Sequence, residues 1–163
     1  MESEKDRFIK HWESEHATTM KVLKAYPPDK ISMKPAEKSR SAKELAWNFV
    51  GEELAFISGI VSGNFDFTNQ PKAPDNYAEI LSKLEKAHKE NVAKVQKLSE
   101  AEWNGMIKFF SAPGKMADYR RADLFWMSMM DHVHHRGQFS VYLRIAGAKV
   151  PSIYGPTADE PWM

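Results

Sequence analysis

The chain has 163 residues, enough for one domain with a sizeable core, and its 42% hydrophobic and 28% charged content is that of an ordinary globular protein. A formal net charge of +1 lacks the clustered basic excess that a broad nucleic-acid surface needs, and no apolar run is long enough to span a bilayer. With no cysteine, the chain has no disulfides, thiolate zinc sites or cysteine nucleophiles, so any thiol chemistry must draw its thiol from a substrate or cosubstrate.

The charged opening "MESEKDRF" contains no apolar signal segment, which predicts a cytoplasmic protein. The first predicted helix runs from Ser3 to Tyr26, with Phe8, Trp12, Thr19, Leu23 and Tyr26 at helical spacing, and Pro27 and Pro28 stop it. After a connection rich in Lys, Ser and Pro, a second helix opens at Ser41, whose spacing to Glu44 is that of a capping box. Leu45, Phe49, Phe56 and Ile60 form its stripe, and Gly63 ends it. "NFDFTNQPKAPDN" reads as a loop whose Phe65 and Phe67 fold back on the body, with Asp75 as the next N-cap. Tyr77, Leu81, Leu84, His88, Val92, Val95 and Leu98 mark the third helix. Ser99 to Trp103 suits a short extra turn, and "FFSAPGKMADYRRA" reads as irregular or briefly extended. The fourth long helix spans Ala122 to Ala146 and ends at Gly147, ahead of a Pro- and Gly-rich tail whose Ile153, Tyr154 and Trp162 predict packing on the body. Four amphipathic helices with one longer crossover predict an all-α four-helix bundle, a single domain over residues 1–163, with an irregular C-terminal tail packed on it.

The fourth helix carries the chemistry. "MMDHVHHRGQFSVYLR", residues 129–144, holds Asp131, His132, His134 and His135. At ~100° per residue, Asp131 and His135 lie within about 40° of one another and can address the same atom. Two readings stand. In one, Asp131 and His135 are two ligands of a divalent metal (zinc, nickel, manganese or iron) completed from a facing helix. In the other, the carboxylate orients an imidazole and the network fixes the register of the bundle. The same wheel places His132 toward solvent or a subunit contact and His134 on the core stripe with Met127. His16 and His88 sit on apolar stripes, as hydrogen-bonded core histidines do. Arg136 suits a bidentate contact with a carboxylate, for which the tail's Asp159 and Glu160 are candidates. Gly137, in mid-helix, suits close approach of another helix.

The string "HHRGQFSVYLR", with "ELAW" on the second helix and the "VPSIYGP" tail, resembles the DinB/YfiT-like superfamily over the whole chain. The resemblance implies a DinB-like bundle in up-down-down-up order, a homodimer, and a three-histidine metal site. Carried onto this sequence, the three positions are Asn48, Asp131 and His135, of which only the last is histidine. Glu52, one turn beyond Asn48, can reach in as a further ligand. The resemblance also implies metal-dependent transfer of a low-molecular-weight thiol cosubstrate to a small-molecule electrophile, a detoxification chemistry. Trp47, Phe49, Met127 and Tyr142 are candidates for the lining of the pocket. The competing expectation is a non-catalytic, ligand-binding or structural dimer whose metal site has degenerated into a hydrogen-bonded network.

Overall fold

The structure is a computed structural model that describes residues 1–68 and 70–162. Helix α1 (Glu4–Lys24) starts where the Ser3 side chain accepts from the Asp6 amide. Helix α2 (Ala42–Gly51) starts at a complete capping box, with the Ser41 side chain accepting from the Glu44 amide and the Glu44 carboxylate accepting from the Ser41 amide. A π-helical stretch (Glu52–Ile57) and α3 (Ser58–Ser62) continue α2 into one rod, which ends at Gly63 with φ +76°. Helix α4 (Tyr77–Lys97) is capped by Asn76, whose side chain accepts from the Ala78 amide. The expected cap, Asp75, instead pairs with Lys43 at 2.7 Å. Helix α5 (Glu100–Trp103) is a single turn with its own capping box, and α6 (Arg121–Ile145) closes the bundle.

Packing fixes the order of the helices. The α1 helix lies against α4 and α6, and the α2 rod lies against the same two, so α1 faces the α2 rod across the diagonal. One apolar layer joins Leu23 and Tyr26 from the end of α1, Leu45 and Phe49 from the start of α2, Ile80 and Leu84 from the start of α4, and Phe139 and Leu143 from the end of α6. The other layer joins Phe8 and Trp12, Ile57 and Ile60, Val92 and Val95, and Leu124 and Phe125. The chain therefore runs up, down, down and up. The parallel step from the α2 rod to α4 makes residues 64–76 recross the length of the bundle. Phe65 holds this crossover by lying on Gly59, where a Cβ would overlap its ring.

Between α5 and α6 the chain forms an antiparallel hairpin of β1 (Met106–Ala112) and β2 (Lys115–Arg120), turned at Gly114 with φ +70°. An irregular or briefly extended stretch is expected there, so the helical bundle carries a small sheet in addition. Inward Ile107 and Phe109 alternate with exposed Met106, Lys108 and Phe110, and Phe109 stacks near Phe56 and Phe65. The tail is fastened by side chains: Asp159 accepts from the Val150 amide and pairs with Arg144, and Glu160 accepts from the Ser152 amide and pairs with Lys21. Arg136 does not meet these carboxylates. It is buried against α1, paired with Glu15 at 2.6 Å and donating to the Glu15 carbonyl and the Tyr154 hydroxyl.

Candidate metal centre

Two adjacent carboxylates at the start of the π-helical stretch point to different neighbours. Glu52 faces α6, whereas Glu53 points to α4 and hydrogen-bonds there with His88 and Asn91. Glu52 meets Asp131, His132 and His135. His135 Nε2 lies 3.6 Å from Glu52 Oε1 and 3.4 Å from Asp131 Oδ2. One donor atom each from Glu52, Asp131 and His135 lies within 4.8 Å of the other two.

The proton on His135 is placed by its neighbour. Its Nδ1 lies 3.0 Å from Gln138 Oε1, while the Gln138 amide nitrogen lies 2.9 Å from His134 Nε2. The amide group donates to His134, so its oxygen accepts from His135 Nδ1–H. With Nδ1 so engaged, Nε2 is the ring atom that faces the two carboxylate oxygens, and one imidazole with two carboxylates is a donor set that suits a divalent ion.

Asn48 reaches this cluster through Glu52. Its amide nitrogen donates to Glu52 Oε1 at 2.5 Å, and its carbonyl oxygen accepts from Arg40 at 2.9 Å. His132, expected at the surface, is instead buried on the inner side, with Nε2 at 2.7 Å from Glu52 Oε2. At this distance the two buried atoms are each other's polar partner. Burial raises the pKa of Glu52, His132 partly offsets this, and Asp131 adds to it. Burial opposes charge on His132, yet Glu52, Glu53 and Asp131 outweigh it and raise its pKa. The two shifts differ in origin: burial leads the rise at Glu52, whereas the neighbouring carboxylates raise His132. His134, expected toward the core, is exposed on the outer side of α6.

The cluster opens on a cleft of about 670 Å³ walled by Phe56, Phe67, Phe109, Met127 and Met130. Arg40, Asn48 and Glu52 are shared with a neighbouring cleft that adds Trp47 and two lysines, Lys34 and Lys38. Of the four expected lining residues, Trp47 and Met127 do line these clefts. Phe49 is buried in the core, and Tyr142 is a core residue whose hydroxyl donates to the Arg40 carbonyl.

Comparison with known proteins agrees with this architecture. Residues 1–162 match the family described as the DinB family. The chain is 28% identical over 162 residues to "Uncharacterized protein YrdA" of Bacillus subtilis, covering 95% of this chain and 90% of that one. It is also 28% identical over 143 residues to "Uncharacterized protein YjoA" of the same organism, covering 87% and 90%. Among solved structures, a DinB-like protein from Bacillus cereus superposes with a TM-score of 0.77 at 22% identity, over 90% of this chain and 95% of that one. The Bacillus subtilis YjoA structure superposes with a TM-score of 0.73 at 23% identity, over 90% and 97%.

Proposed function

The chain belongs to the DinB family, and on that premise we propose that it binds a divalent metal through Glu52, Asp131 and His135 and transfers a low-molecular-weight thiol to an apolar small-molecule electrophile. The observation that supports this reading is the facing of three acceptor atoms, within 4.8 Å of one another, at the wall of an apolar cleft. A metal bound there stabilises a thiolate near neutral pH. The residues of the chain do the rest. Asn48 holds Glu52 by its amide, Gln138 fixes the tautomer of His135, and Arg40 with Lys34 and Lys38 gives the cleft a cationic rim for an anionic substrate group. Phe56, Phe67, Phe109, Met127 and Met130 give the cleft an apolar end for the electrophile. In this assignment Asn48 supports a ligand, in place of the ligand role that the family pattern suggests for its position.

Elemental analysis of protein purified without a metal-affinity step tests the reading. About one equivalent of metal is expected, lost in His135→Ala, together with thiol transfer that falls in parallel. Protein that takes up no zinc, nickel or manganese and is indifferent to His135→Ala overturns it. We further propose a homodimer formed on the outer side of α6.

A further inference from the structure

On the far side of the π-helical stretch, Glu53 is fully buried. Its Oε1 lies 2.9 Å from His88 Nδ1, its Oε2 accepts from Asn91 at 2.8 Å, and Asn91 also donates to the Glu53 carbonyl at 2.7 Å. With Nδ1 on the carboxylate, the other ring nitrogen of His88, Nε2, is buried with no hydrogen-bond partner among the described residues. Trp12 packs its edge on the His88 ring at 4.5 Å between centroids, so the ring has little freedom. His16 of α1 lies flat on the other face, 3.7 Å away and parallel within 1°.

We propose that His16 and His88 hold a second divalent metal ion, of zinc type, between α1 and α4, with Glu53 of the π-helical stretch supporting the His88 ring from behind. Donor atoms from the three residues lie within 4.8 Å of one another. Two imidazoles can hold zinc with water in the remaining positions, and a carboxylate held on the remote nitrogen of a ligating histidine, as Glu53 is here, is the usual support for such a ring. The orphaned nitrogen gives the site a reason to exist, because a buried imidazole lone pair without a donor is costly and a metal ion satisfies it. One ion cannot lie in the planes of two stacked rings at once, so loading must turn one of them. His16 is the ring free to turn, being only partly buried at the wall of a cleft of about 560 Å³ between α1 and α4. At that mouth Glu13 and Glu85 offset two of the three lysines, Lys21, Lys24 and Lys89, and water from the cleft completes the coordination.

Zinc alone, titrated calorimetrically into chelator-stripped full-length protein, tests the site. The Asp131→Asn/His135→Gln variant removes the ligands proposed on α6, so its behaviour reports on the second cluster whether or not the first binds metal. That variant is expected to keep one equivalent, and adding His16→Asn is expected to weaken the remaining site at least tenfold while circular dichroism stays helical. Ring resonances followed by NMR in the same variant need no change at His16. Zinc should shift His16 and His88 together and saturate at one equivalent. No zinc uptake in that variant, uptake indifferent to His16→Asn, or shifts confined to the exposed His11 and His134 would overturn the second site. Wild-type protein that binds one equivalent, lost with His16→Asn and kept without Asp131 and His135, would sink the α6 reading and leave this one standing.

Discussion

At the scale of single residues, Asn48 decides how the α6 cluster works. Its amide donates to Glu52 while Arg40 occupies its oxygen, so truncation frees the carboxylate without removing an acceptor atom from the cluster. Asn48→Ala should weaken zinc binding about 10- to 100-fold, the usual cost of losing a partner behind a ligand, whereas Asn48→His with Asp131→His should give a site at least as tight as wild type. Competition against a chelator measures both, and a silent Asn48→Ala would remove Asn48 from the support of the site. His132 shows what spacing alone could not reveal. The helical wheel places it about 100° from Asp131 and hence outside, if α6 buries one face only. In fact α6 is enclosed on one side by α1 and on another by the α2 rod, so a residue that looks peripheral is buried against Glu52. Asp131 and His135, by contrast, were legible as a pair because an i, i+4 relation needs no knowledge of the neighbours.

At the scale of elements, the helices were readable because their stripes and caps are local, and the capping box at Ser41 was legible from two residues. The π-helical stretch was not, since the hydrophobic periodicity runs through it. Yet Glu52 and Glu53, which face different neighbours, both lie in it. Asn91 stabilises it from α4 by donating both to the Glu53 carbonyl and to its carboxylate. Asn91→Ala leaves two buried acceptors short of a donor, and a loss of about 1–3 kcal/mol is expected in urea unfolding. A loss below ~0.5 kcal/mol would mean that the stretch holds without α4. The hairpin escaped the reading for a different reason: its exposed strands alternate over too few inward residues, Ile107 and Phe109, to outweigh the polar turn.

At the scale of the whole molecule, the tail and the outer side of α6 set how the bundle behaves in solution. Asp159 and Glu160 fasten the tail. The hydrogen bond and charge of Arg144, with the Val150 amide, lower the Asp159 pKa, and the Ser152 amide and Lys21 lower that of Glu160. Because the docked pKa values lie below the free ones, the clamp is at full strength above the ordinary carboxylate range and is lost as pH falls through the depressed values. Hydrogen exchange at the Val150 and Ser152 amides should therefore speed up in acid before the helices melt, and simultaneous loss would show that the tail is held by packing alone. The outer side of α6 suits a partner. Val141 and Ile145 are 55% and 54% exposed, and a Cβ added at Gly137 would meet no atom within 4 Å. Their four-residue spacing lines them up along α6, on a helix whose other faces are already buried by its neighbours. A second copy of α6 laid along this line covers the two side chains and gives the glycine the close approach that its helix-weakening cost calls for. Sedimentation should give twice the 18.7 kDa chain mass for wild type and the single mass for Val141→Glu/Ile145→Glu, with helicity unchanged. Wild type sedimenting as a single chain would refute the dimer, and a dimer that survives both glutamates would move the contact to another face.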